Sequence, residues 1–123
     1  MNFSNDRPIY IQLLEQLQVF IVSGKIKIGE KLPSVRDLAF EYKVNPNTVQ
    51  KALQELESIG LIYTERTNGK FVTNDQKLID KSKEKFAYDI SISYLKSMNE
   101  LGYNQKDALY YLKRMRGDKY WNY

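Results

Sequence analysis

The stretch "EYKVNPNTVQKALQEL", residues 41–56, is rich in helix formers yet carries Asn45-Pro46-Asn47-Thr48 near its centre. A proline in a helix interior costs about 3 kcal/mol, because it removes a backbone hydrogen bond and its ring meets the preceding turn. At the first helical position the cost is small, since no internal N–H partner is lost. The stretch is therefore a stop and a restart. One helix ends near Tyr42, and another begins at Pro46 with Asn45 as its N-cap. Two helices joined by so tight a turn restrict the fold more than any other feature of the chain.

The flanks extend the pattern. Residues 8–23 open with a proline suited to a first helical position, repeat Ile9, Leu13, Leu17, Phe20 and Ile21 at helical spacing, and stop at Gly24. Residues 25–33 alternate Ile26 and Ile28 with lysines, as either a short strand or an extended connection, and Pro33 disfavours helix at Leu32. Ser34 starts the second helix, with Asp37 three positions on in a capping-box arrangement and Val35, Leu38, Ala39 and Tyr42 as the apolar stripe. The third helix, 46–59, turns Val49, Ala52, Leu53, Leu56 and Ile59 inward and stops at Gly60. Residues 61–73 then change period. Two β-prone runs, 62–67 and 70–73, flank Asn68-Gly69, a strong hairpin signal.

Helix, helix, tight turn, helix, hairpin is the order of a winged helix-turn-helix, in which the third helix enters a DNA groove. The expected fold is mainly α with a small β-hairpin wing, followed by a two-helix C-terminal tail. The first tail helix spans 75–101, with Ile79, Phe86, Ile90, Met98 and Leu101 apolar. The second spans 105–116, capped by Asn104 and Asp107 and ended by Gly117, with Ala108, Leu109, Leu112 and Met115 apolar. The expected division is a DNA-binding domain at 1–73 and a helical dimerisation region at 74–123.

Composition narrows the chemistry. The 123 residues contain no Cys and no His. Disulfides are absent, zinc and copper sites built on N or S ligands are not expected, and Ser–His and Cys–His catalysis are excluded within the chain. Glu55 and Glu57 stand two apart and point to different sides of a helix, so no enzyme is expected. No apolar run approaches the ~20 residues of a membrane span. The N-terminus has neither a basic nor an apolar leader region, so no signal peptide is expected. The net charge of +4 is uneven: residues 1–73 carry nine Lys/Arg and eight Asp/Glu, residues 74–123 ten and seven. Nucleic-acid binding must therefore be argued from placement.

Placement favours it. The outward positions in the first two turns of the third helix are Asn47, Thr48, Gln50, Lys51 and Gln54, with Glu55 and Glu57 only in the second half. Amides read adenine edges, and lysine reaches guanine or phosphate. An ordinary solvated helix face has the same composition. Arg36, in the first turn of the second helix, is placed for a phosphate or base edge. Arg66, Gly69 and Lys70 at the hairpin suit minor-groove or phosphate contact, although the turn alone explains Asn68-Gly69. The ten tyrosines do not form a stacking platform for single strands. Tyr10, Tyr42 and Tyr63 fall at core-compatible positions, and Tyr110, Tyr111 and Tyr120 in the C-terminal part.

Residues 8–73 resemble the DNA-binding domain of GntR-type bacterial transcription regulators. The resemblance lies in the G-x-x-L-P-S-x-R-x-L-A segment, Gly29 to Ala39, and in the N-P-N-T-V start of the third helix. The short tail, with GYNQKDAL near its second helix, resembles the YtrA subfamily. The resemblance implies that Arg36 contacts DNA and that Gly69 is the wing glycine. Many members carry further recognition-helix arginines where this chain has Pro46 and Gln50, which shifts weight to Asn47, Thr48, Gln50 and Lys51. Fifty residues of tail are too few for the large effector or pyridoxal-phosphate-binding domains of other members, so no cofactor is expected. The YtrA likeness implies dimerisation through the tail and a regulator, often a repressor, of transporter genes in the cytoplasm, associated with the nucleoid. The expected partners are an operator duplex and a second copy, through Ile79, Phe86, Ile90 and Met98 backed by Ala108, Leu112 and Met115. The alternative is that these side chains pack the tail on its own domain. A small-molecule effector held between the tail helices, and a protein-interaction module that has lost DNA reading, are the other readings.

Overall fold

The computed structural model describes residues 2–115. Its elements are α1 (Ile9–Val22), α2 (Val35–Tyr42), α3 (Pro46–Ser58), β1 (Ile62–Glu65), β2 (Gly69–Val72), α4 (Gln76–Glu100) and α5 (Gln105–Arg114). They form two compact units, one ending at Lys83 and one starting at Glu84. The expected elements are present in the expected order. Arg116, Gly117 and Tyr120 lie outside the described residues.

Local chemistry sets the helix ends of the first unit. Pro8 is the N-cap of α1 rather than its first residue. The Ser34 hydroxyl accepts the Asp37 N–H at 3.0 Å and opens α2. The Asn45 side chain accepts the Asn47 N–H at 2.8 Å and opens α3, with Pro46 in the first position. Between these helices Lys43 takes the left-handed conformation, φ 56°, and the Val44 N–H reaches back to the Ala39 carbonyl at 3.0 Å. A left-handed residue after the last helical turn closes α2 and reverses the chain.

The core gathers Leu13, Leu17 and Ile21 of α1, Leu38 of α2, and Val49, Leu53 and Leu56 of α3, with Leu61, Ile62 and Val72 from the hairpin. Two expected apolar positions face outward. Ile9 is 45% exposed, in the first turn of α1 before the buried stripe begins. Ile59 is also 45% exposed, because α3 ends at Ser58 and the chain turns at Gly60, leaving Leu61 to fill the core. Gly60 has φ +86°, and a Cβ there would meet Leu78 at 3.0 Å. No larger residue satisfies both demands. Gln12 is buried in α1, where it accepts the Ser4 N–H and donates to the Ser4 and Arg7 carbonyls. That ties the N-terminal arm down, with Phe3 packed against Tyr42.

The wing pairs Ile62 with Val72, Tyr63 with Phe71, Thr64 with Lys70 and Glu65 with Gly69. Gly69 is thus the first residue of β2, and the loop is Arg66-Thr67-Asn68 rather than a two-residue Asn68-Gly69 turn. The Asn68 N–H closes onto the Glu65 carbonyl at 3.2 Å, and Gly69 follows at φ +105°. This is the three-residue hairpin, in which the glycine completes the reversal. The segment before α2 resolves as a bridged extended connection. Lys31 pairs with Phe71, and backbone bonds join Leu32 to Lys70 and Val72 to Glu30. β2 is therefore held on both sides.

α4 is one continuous helix, opened by the Asp75 carboxylate, which accepts the Leu78 N–H. Its first turns belong to the winged core: Ile79 is 5% exposed and Leu78 packs beside it. The first unit accordingly runs past the boundary expected at residue 73. In the second unit, Asn104 and Asp107 form the expected reciprocal capping box at the start of α5. Ala108 is buried there, and the Tyr94 hydroxyl donates to its carbonyl at 2.7 Å.

Candidate nucleic-acid interface

α3 sorts its residues by face. Val49, Ala52, Leu53 and Leu56 are buried, and α1 and α2 pack against that side. Asn47, Gln50, Lys51 and Gln54 are exposed, while Thr48 is half-buried. The buried stripe repeats at three- and four-residue offsets, so the amides and the lysine are left on one outer surface. Glu55 and Glu57 lie on the later turns. The N-terminal half of the exposed face is thus free of carboxylates and rich in groups that both donate and accept.

Arg36 is exposed in the first turn of α2. Phe40, one turn on, is 87% exposed. The start of α2 and the wing flank a common hollow of about 330 Å³, with Pro33, Ser34 and Val35 on one side and Asn68, Gly69 and Lys70 on the other. The fold therefore brings the α2 start and the wing together.

The basic residues expected at this surface differ in their ties. Arg66 is exposed at the tip. Lys70 is half-buried and ion-paired, its ammonium 3.1 Å from the Glu57 carboxylate and 2.8 Å from the Thr64 hydroxyl. The Thr64 hydroxyl and then the Lys70 ammonium hold the Glu57 carboxyl below its ordinary value. Lys70 thus links the wing to α3, and its charge faces a carboxylate. Lys51 has a different neighbour: its ammonium lies 3.9 Å from the centre of the Tyr10 ring. Tyr10 falls at a core-compatible position in the sequence, and no local signal marks a pair forty-one positions apart.

The second unit offers an apolar groove of about 660 Å³ lined mainly by Ala87, Ile90, Tyr94, Leu95, Leu109 and Leu112. Ile90 is 70% exposed, Leu112 and Met115 are exposed, and Phe86 and Met98 are half-buried. Ile79 does not belong with them. It is buried in the winged core, because α4 begins within the first unit. Leu109, Tyr94 and Leu95 were missing from the expected contact set. α4 is long enough for several apolar faces, and spacing alone did not say which one α5 leaves open.

The fold and its exposed polar helix define a winged helix-turn-helix DNA-binding protein. The chain belongs to the gntR family of bacterial regulatory proteins, whose family model matches residues 9–72. It is 36% identical over 107 residues to the uncharacterized HTH-type transcriptional regulator YhcF of Bacillus subtilis (strain 168), covering 87% of this chain and 88% of the relative. It is 46% identical over 70 residues to the HTH-type transcriptional repressor YtrA of the same organism, covering 57% and 54%. Among solved structures, a GntR family transcriptional regulator from Listeria monocytogenes matches with a TM-score of 0.86 and 36% identity, over 91% of this chain and 98% of that one. The AraR DNA-binding domain in complex with an operator matches with a TM-score of 0.53 and 32% identity, over 59% and 88%. The chain is a DNA-binding transcription regulator and not an enzyme. No described helix is long and apolar enough to cross a membrane.

Proposed function

We propose that two copies of this chain bind a pseudo-palindromic operator and repress transcription, in the cytoplasm and on the nucleoid. The carrying observation is the sorted surface of α3, with every buried position apolar and the early exposed positions Asn47, Gln50 and Lys51 polar. In this reading Asn47, Thr48 and Gln50 address base edges and Lys51 a phosphate. Arg36 contacts the backbone or an adjacent base, and Arg66 and the Gly69 backbone meet the neighbouring groove. Lys70 contributes by setting the wing, and reaches DNA only by leaving Glu57.

The apolar groove around Ile90 and Leu112 supplies the two-fold contact, with Phe86, Met98 and Met115 beside it. One recognition helix reads only a few base pairs, and a two-fold pair doubles the reading at a spacing set by the helical turn. The repressor sense and a transporter operon as target are carried over from the likeness to YtrA. The same groove offers apolar space to a small-molecule effector.

The test is selection of duplexes by the full chain from a random-sequence pool, followed by salt titration of the enriched sequence and light scattering. An enriched inverted repeat, binding that weakens steeply with salt, and a dimeric mass are expected. Equal and weak binding to every sequence would mean that the fold serves protein interaction instead.

A further inference from the structure

Lys51 and Tyr10 belong to different helices. Tyr10 lies in the first turn of α1, and Lys51 in the second turn of α3. The ammonium stands over the ring face at 3.9 Å, well inside the range of a cation–π contact. Among the described residues Lys51 makes no ion pair: those present are Arg7 with Glu15, Lys70 with Glu57 and Lys85 with Asp89.

A ring face and a carboxylate hold a lysine differently. A carboxylate neutralises the charge and takes up N–H donors, and a phosphate must then displace it. A ring face restrains the flexible four-carbon stem, leaves the charge uncompensated, and leaves the donors free for oxygen acceptors. Lys70 is in the first state and Lys51 in the second. Restraint before binding removes part of the ordering cost of the complex.

We propose that Tyr10 is a positioning residue for DNA binding. Its ring holds Lys51 in place for a backbone phosphate of the duplex, which makes the first turn of α1 part of the recognition surface. The inference rests on α3 being the reading helix, and goes further by assigning a role to α1.

The probe is the duplex enriched by the wild-type chain from a random pool. Tyr10→Leu is expected to weaken binding about two- to five-fold, the range of an exposed cation–π contact. Tyr10→Phe, which keeps the ring face, restores wild-type affinity. Lys51→Ala lowers the salt slope by about one unit, whereas Tyr10→Leu leaves it unchanged, because the phosphate contact itself persists. In the Lys51→Ala background, Tyr10→Leu has no further effect. A loss with Tyr10→Phe equal to that with Tyr10→Leu would assign the effect to the hydroxyl and overturn the proposal. Equal losses from Tyr10→Leu in both backgrounds would overturn it too.

Tyr10 is half-buried, so a measurement on the unaltered chain guards against a folding defect. The Lys51 ε-methylene protons of the free wild-type protein should resonate upfield under the ring current, and unshifted resonances would refute the geometry. Failure of the wild-type chain to enrich any duplex would sink the operator reading itself. Enrichment that depends on Lys51 but ignores Tyr10 would sink only this inference.

Discussion

The Lys70 ammonium lies 3.1 Å from the Glu57 carboxylate, so the second strand of the wing is tied to the later turns of α3. Hydrogen bonding by Thr64 first and Lys70 second holds the Glu57 carboxyl below its ordinary value of 4.5. A depressed carboxylate stabilises the fold above its unfolded-state pKa, and that contribution is lost as pH falls through the folded value. Wild-type melting temperature should therefore drop between about pH 5 and pH 3 by more than that of Glu57→Gln. Both partners are partly exposed, so at neutral pH the substitution should cost less than about 1 kcal/mol. Parallel melting curves for the two proteins across that range would remove the linkage.

Arg36→Ala tests the start of α2. The side chain is exposed and lies outside the core, so stability should stay within about 0.5 kcal/mol of wild type. Affinity for the enriched duplex should fall. A lost phosphate contact lowers the salt slope by about one unit, and a lost base contact costs about 1–3 kcal/mol and relaxes one position of the site. A gel-shift titration indistinguishable from wild type would take Arg36 off the surface that reads DNA.

Ile90→Glu tests the two-fold contact. Ile90 is 70% exposed in the single chain, so a carboxylate there leaves each copy folded. Buried at a seam without a partner, the same carboxylate is costly. Light scattering should report a monomer, and duplex affinity should fall by roughly a hundredfold as the second recognition helix is lost. Phe86→Glu should act in the same direction. If both variants stay dimeric and bind normally, the groove serves another purpose.

Lys43→Gly tests the turn between α2 and α3. Lys43 has φ 56°, where a side chain is crowded and glycine is not. The relief exceeds the entropy glycine adds to the unfolded chain, and a gain of about 0.5–1 kcal/mol is expected. Urea unfolding should show a higher midpoint at constant slope. Lys43→Val should move the midpoint the other way, because a branched Cβ is least tolerated at positive φ.

Features set by neighbours in sequence were legible before any coordinates. Asn45, Pro46, Ser34 and the Asn104–Asp107 box declare helix starts, because each cap acts over two or three residues. Features set by distant neighbours were not. The pairing of residues 30–32 with β2 joins segments about forty positions apart, and alternation alone left strand and connection equivalent. Gly69 was assigned to the turn, yet strand register places it opposite Glu65. Ile79 fits the apolar repeat of its helix, but a repeat identifies a face without saying what covers it. The outward residues of α3 were readable because its inward stripe was. The ring beneath Lys51 was not, since it comes from another helix.

The double attachment of β2 gives the wing tip an unusual freedom. Glu30 and Leu32 hold one flank and β1 the other, so both feet of the loop are anchored without help from the Arg66 and Thr67 side chains, while the Asn68 amide donates to the Glu65 carboxylate at 3.1 Å. Those three side chains are exposed and contribute nothing to the core. Gly69 is excluded from this freedom by its φ of +105° and by Lys31, 3.1 Å from where a Cβ would stand. Arg66 and Thr67 thus form a short cassette in which mutation is nearly free of folding consequences. Substitutions at those two positions change the chemistry the wing presents while the scaffold beneath stays the same.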